Sequence, residues 1–246
     1  MFFPSPRTGM MAAALAVGLL LAACGGGETA PPSSSESDPG GTQELTAAQL
    51  NAMIPTRRDL DMPLWGVMSP AERVGGPMDN RRAARETGLW NVSREDFDAA
   101  GRLGGYVEYY WDGSCGGSCL ERPLITLRTE AHVFADSGTA SRFLQASASG
   151  FQAANGGPGR LCARVAVSEF EPEAFGDDVV GLRTEVGKCA NLTGYTWRST
   201  IFLFQVDQVV CLADATSLND EYPIARALAA AEVVERRVEA VLSGTS

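Results

Sequence analysis

The sequence predicts an α+β fold, a mainly antiparallel sheet with helices packed on one face, preceded by a signal peptide and a disordered tether. Three observations carry that expectation. β-rich segments recur in neighbouring pairs joined by short turns, at 105–111 with 123–135 and again in four segments from 162 to 216. Two long stretches of helical periodicity, one between these groups and one at the C-terminus, each carry a single apolar stripe. Strands in sequential hairpins, with helices inserted and appended, build antiparallel sheets rather than the parallel sheets of alternating βαβ units.

The chain opens with nine residues whose only charge is Arg7, followed by Met10–Ala23, a run of apolar residues and glycine. Fourteen residues suit the apolar core of an export signal, whereas a bilayer-spanning helix needs about 20. The run ends in Leu21-Ala22-Ala23-Cys24, which resembles the lipobox of bacterial lipoproteins at all four positions. That resemblance implies a diacylglyceryl group on the Cys24 sulfur, cleavage before it and acylation of the new amino group. Several acyl chains, at about 0.8 kcal/mol per buried CH₂, pass the threshold for stable attachment to a membrane. The expected location is the cell envelope, on the extracytoplasmic side, with the membrane as partner through the anchor.

After Cys24 comes a Gly-, Ser- and Pro-rich stretch to Gly41 that has too little apolar surface to fold. As a flexible coil, residues 25–44 span about 25 Å. The expected division is therefore 1–23 signal peptide, 24–44 lipidated cysteine and linker, and 45–246 a single α+β domain. Those last 202 residues are enough for a real core.

The formal net charge is −10, and loss of Arg7 with the signal makes it −11. An acidic chain repels nucleic acid, which is excluded as a partner, and anionic headgroups alike. Lys188 is the only lysine and His132 the only histidine, which narrows the catalytic choices.

The domain opens with a helix whose start is marked by Thr46 and Gln49 at capping-box spacing, with Leu45 and Leu50 placed to staple it; it ends before Pro55. The stretch to Met78 reads as irregular. A helix from Asp79 to Gly88 and another capped by Ser93, with Asp96 three residues on, precede the first strand. In the strand at 123–135, Ile125, Leu127, Ala131 and Val133 share one face, and Arg128, Glu130 and His132 the other. A helix over 137–153 buries Ala140, Phe143, Leu144, Ala148 and Phe151. Strands at 162–170, 178–187, 195–206 and 208–216 follow, the last two meeting at Asp207-Gln208 without the glycine such turns favour. Pro223 opens the last helix, Gly244 ends it, and Ile224, Leu228, Ala231, Val234, Val238 and Val241 or Leu242 form its stripe.

Asp59-Leu60, Pro63, Gly101-Arg102, Gly105-Tyr106, Phe134-Ala135-Asp136 and Ala140, with a terminal hairpin and helix, resemble exported lipoproteins of high-GC bacteria. More distantly they are similar to the extracellular sensor domains of actinobacterial membrane kinases. The resemblance implies a small α+β domain with a groove between sheet and helices, and no catalytic residue carries over from it.

Hairpin geometry organises the five cysteines beyond Cys24. If 162–170 and 178–187 pair across a turn near 174–175, Cys162 lies opposite residue 187, two positions from Cys189, within reach of a bridge after a small register shift. Cys211 falls opposite Phe204 in an apolar run and is expected to be a buried free thiol. Cys115 and Cys119 are left to close their own loop over Gly116 and Gly117. Zinc at that loop would need a second ligand pair, so no metal or cofactor is expected.

A serine hydrolase would depend on His132, which sits mid-strand on a polar face and reads as a solvated surface residue. The acidic cluster Glu169, Glu171, Glu173, Asp177 and Asp178 reads as a solvated turn without EF-hand spacing. Tyr106, Tyr109, Tyr110 and Trp111 are candidates for a ligand groove: Tyr109 and Trp111 share one strand face and Tyr106 and Tyr110 the other, so one pair is core and the other either lines a groove or covers a sheet face. The expected function is a non-enzymatic ligand-binding or sensor-like lipoprotein with a small-molecule or envelope-protein partner. The rival readings are an extracytoplasmic hydrolase and a structural factor docked on a membrane complex.

Overall fold

The computed structural model describes residues 45–60, 75–89, 91–111, 126–156, 162–172, 175–189, 192–218 and 221–245. Helix α1 (Ala47–Ala52) leads into the short strand β1 (Gly76–Pro77), then α2 (Asn80–Glu86), α3 (Arg94–Ala99), β2 (Arg102–Trp111), β3 (Thr126–Phe134) and α4 (Ser137–Ala153). Strands β4 (Cys162–Phe170), β5 (Asp178–Cys189), β6 (Leu192–Val206) and β7 (Val209–Ser217) run before α5 (Ile224–Leu242).

Local chemistry starts most of these helices. Thr46 and Ser93 each close a capping box, with Gln49 and Asp96 respectively, and Asp79 and Asp136 accept backbone N–H groups of the first turns of α2 and α4. Pro223 precedes α5, whose last turn is followed by Gly244 at φ +70°. Asp207 takes the left-handed conformation that the β6–β7 turn demands, at φ +50°.

The seven strands form one antiparallel sheet in the order β1-β2-β3-β7-β6-β5-β4. α4 carries the chain from β3 in the middle to β4 at the far edge, and three hairpins then bring it back until β7 pairs with β3. Along β3, β6 and β7 both strand faces are buried. Leu127, Ala131, Phe202, Phe204, Cys211 and Ala213 lie under α1 and α5, while Phe134, Ile201, Leu203, Val210 and Leu212 meet α2, α3 and α4.

The expected α+β class with an antiparallel sheet is the one observed, but helices cover both faces of the sheet rather than one. The difference arises at β3. Its polar face, which reads as a solvent face, is roofed by α2 and α3, and its polar residues pair internally. Under α5 the buried stripe is Ala227, Ala230, Ala231, Val234, Val238 and Val241, with Ile224, Leu228 and Leu242 at its partly buried margin. Small alanines let that helix lie close on the sheet. Each fully buried large apolar side chain contributes about 1.5–3 kcal/mol.

Each sheet edge has part of its backbone taken up by a neighbouring segment. At β4, Gly156 N–H donates to Val165 O at 2.8 Å and Val167 N–H donates to Asn155 Oδ1 at 3.1 Å, so the turn after α4 takes up ladder positions. At the other edge the two-residue β1, in the stretch expected to be irregular, pairs Gly76 with Val107 and Pro77 with Tyr106.

Candidate functional site

His132 is fully buried, which corrects its expected place on a solvated face. Its Nδ1 accepts from Arg102 Nε at 2.9 Å, and its Nε2 lies 2.9 Å from Glu130 Oε2. An acceptor Nδ1 places the proton on Nε2, so the ring is the neutral tautomer donating to Glu130. Burial, with Arg102 beside it, holds the imidazole below its ordinary pKa despite the pull of Glu130. Phe97 of α3 covers it, ring centroids 5.5 Å apart, and the Arg102 guanidinium lies 5.0 Å above the same phenyl ring.

Glu130 is the hub of this network. Its Oε2 also accepts from Thr87 Oγ1 at 2.7 Å, and its Oε1 accepts from Gly88 N–H at 2.7 Å and pairs with Arg128 Nε at 3.3 Å. Burial alone would raise its pKa; the His132 hydrogen bond, the Arg128 charge and the Thr87 hydroxyl outweigh that and hold it at about 2. Arg128 continues to Asp214 Oδ2 at 2.8 Å, whose carboxyl burial pushes upward. Gly88 is required by close approach, since a Cβ there would sit 1.9 Å from Arg128 Nη2. Two guanidiniums and two carboxylates thus balance around a neutral imidazole with both nitrogens committed. The arrangement ties β2, β3 and β7 to α2 and α3, and it presents no free base to a substrate.

The aromatic quartet does not form one groove. Tyr109 is buried among residues of α2–α4 and donates to Glu86 O at 2.8 Å. Tyr110 is buried on the opposite face and donates to Pro55 O, and burial raises its phenol pKa far above the ordinary range. Tyr106 is half-buried against the α1–α5 core, and the Trp111 side chain lies outside the described residues.

Among the cysteines, Cys211 is free, buried and opposite Phe204, and burial drives its thiol pKa up. Cys162 and Cys189 are backbone partners in the β4–β5 ladder. Cys24, Cys115 and Cys119 lie outside the described residues. In the acidic cluster, Asp177 accepts from Asp207 N–H and Asp178 from Gln145 Nε2, both at 2.7 Å, so these two carboxylates staple turns; Glu173 lies outside the described residues. No cluster of three metal-ligating side chains occurs among the described residues.

Among the cavities that open on the surface beside helices, two have largely apolar walls. One, of about 530 Å³, lies at the β1 edge of the sheet. Its apolar wall is Leu45, Leu50, Met78, Leu103 and Val133, its floor is Gly104 and Gly105, and Arg81, Arg82 and Arg85 of α2 stand on its rim. Leu103 is the one large apolar side chain left exposed among the described residues, at 46%. The other, of about 610 Å³, lies between α3 and α4 and is lined by Val92, Ala99, Phe143, Ala146 and Ser147. Both fall in the size range of small-ligand sites. The first went unseen in the sequence because its walls come from α1, β1, α2, β2 and β3; the available signal was the run Asp79-Asn-Arg-Arg-Ala-Ala-Arg85 in an otherwise acidic chain.

No family model matches the chain, and neither does any curated protein. Among solved structures the chain is similar to the extracellular domain of PknH from Mycobacterium tuberculosis, with a TM-score of 0.50 and 11% identity, covering 82% of this chain and 100% of that one. At that identity the likeness is one of fold.

Proposed function

We propose that the chain is a lipid-anchored, extracytoplasmic, non-enzymatic ligand-binding domain of the sensor kind, with the groove beside β1 as its ligand site. The observation that carries this reading is the groove itself: an apolar wall and an arginine rim around about 530 Å³, at the point where the chain enters its first helix. Leu45, which lines it, directly follows the linker in sequence. Anchoring rests on Leu21-Ala22-Ala23-Cys24. The extracytoplasmic side rests on the same segment, together with the fold shared with an extracellular domain. No helix among the described residues is long and apolar enough to cross a membrane. Against hydrolysis through His132 stands its double commitment to Arg102 and Glu130.

Mass spectrometry of the protein gently extracted from its own membranes tests both halves. The expected result is an acylated terminal peptide beginning at Cys24 and a small molecule retained without a covalent bond, its retention lost in Gly104→Leu. A Cβ at Gly104 would make only ordinary contact, 3.7 Å from Leu50 Cδ1, so a side chain there starts into the groove without a backbone clash. An unlipidated terminus elsewhere would overturn the anchor; retention unaffected by Gly104→Leu would overturn the site.

A further inference from the structure

Resting on the groove being the ligand site, the structure assigns a ligand chemistry to it: we propose that it takes a single anionic amphiphile of the fatty-carboxylate kind. The head would pair with Arg81 and Arg85, and the apolar chain would lie along Leu50, Met78, Leu103 and Val133.

The charge pattern selects the sign. Arg81 and Arg85 stand one turn apart on the exposed side of α2, and neither has an ion pair or side-chain hydrogen bond among the described residues. Two acids stand nearby, and the charge of Asp79, which also lines the groove, acts on Arg81 and Arg85. Asp79 caps α2 by accepting from Arg82 N–H at 2.6 Å, and Glu86 pairs with Arg82 Nε at 2.8 Å. Arg82 Nη1 in turn donates to Pro77 O at 2.8 Å, which fixes the rim to β1. Beneath the floor lies the buried Arg102, whose charge is already balanced within the Glu130 network. A Cβ on Gly105 would sit 2.4 Å from its Nη2, a nitrogen with no hydrogen-bond partner. Planar guanidiniums on a helix face suit a carboxylate or phosphate-type oxyanion by paired hydrogen bonds.

The rest of the groove selects the tail. Leu50, Met78 and Val133 are buried core residues whose edges form its wall, and Leu103 is 46% exposed. The cavity volume matches one small molecule rather than a bilayer face. A chain of net charge −10 is repelled by an anionic bilayer as a whole, so the source is a free monomeric amphiphile rather than a lipid still in its membrane.

The test is photo-crosslinking of the full chain, anchored in phosphatidylcholine nanodiscs, with a diazirine-bearing laurate, the labelled residues being mapped by peptide mass spectrometry. Labelling is expected on the peptides holding Leu50, Met78, Leu103 or Val133. Excess laurate should compete it away, and dodecyltrimethylammonium should not. The double variant Arg81→Gln/Arg85→Gln should lower labelling by about tenfold or more, the loss of roughly one charge-assisted contact. Both side chains are exposed, so the fold is expected to survive, and Gly104→Leu offers an independent block. A diazirine-bearing phosphatidylglycerol built into the nanodisc should label the groove weakly; labelling stronger than by laurate would make the source a membrane lipid and overturn the monomer assignment. Equal competition by the cationic amphiphile, or labelling indifferent to the arginine variant, would overturn the anionic chemistry while leaving the groove a binding site. Labelling of no groove peptide by any amphiphile, while the native extract still yields a Gly104-sensitive small molecule, would overturn the amphiphile alone; absence of both would take the site with it.

Discussion

Glu130 accepts from a hydroxyl, a backbone amide and an imidazole while facing Arg128, all in a place water does not reach. Removing one member of such a buried set leaves the others uncompensated. Glu130→Ala should therefore lower unfolding stability by roughly 3–5 kcal/mol in urea titration, and a loss below about 1 kcal/mol would mean the network is looser than its distances say. His132 gives a cleaner signature because it is the only histidine. Burial holds its pKa in the folded protein below the ordinary histidine value of 6.5. As pH falls through that value the unfolded chain gains a proton that the folded protein refuses, so folding weakens. Stability should therefore fall as pH drops from 7 to 5.5, at a rate that one group limits to at most about 1.4 kcal/mol per pH unit. Denaturation midpoints for the wild type and His132→Gln should show that slope in the first and its loss in the second. Strand parity made the shared face of Arg128, Glu130 and His132 legible in the sequence. Whether that face meets water or helices depends on α2 and α3, and no local pattern in β3 records it.

At the scale of elements, the caps were legible because a cap is a contract among residues three apart. Thr46 with Gln49, and Ser93 with Asp96, formed as their spacing implied. Ser93→Ala should cost about 1 kcal/mol, within 0.5–2, measured by thermal or urea unfolding, because α3 holds Phe97 over His132. Registers were legible to within two residues. Opposed residues in the β4–β5 hairpin sum to 351, as in Cys162 with Cys189 and Glu169 with Leu182, where a turn centred near 174–175 implies 349. The longer connection moves the two cysteines directly opposite each other. Non-reducing peptide mapping should find Cys162–Cys189 linked, with Cys211 alkylated only after unfolding. A link from Cys189 to Cys211 would contradict the ladder, in which Cys211 faces Phe204. β1 was not legible, since two residues carry no period.

Over the whole molecule, the order of hairpins and the antiparallel sheet could be read in advance because each connection is short and each strand alternates. The second helical layer and the residues of the groove could not, because both arise where segments far apart in sequence converge: Leu45 and Leu50 from one end, Arg81 and Arg85 from the next turn of chain, Gly104 and Val133 from the sheet. An arginine rim on a chain of net charge −10 is a local exception to the molecule's field, and such exceptions are where a charged ligand gains most from a protein that otherwise repels it. The most direct measurement of that claim is a crystal structure of the protein isolated from its own membranes without stripping bound molecules. Elongated density along Leu50, Met78 and Leu103, ending in an anionic head between Arg81 and Arg85, is the predicted result. Density in the cavity between α3 and α4, with the β1 groove filled only by solvent, would contradict it.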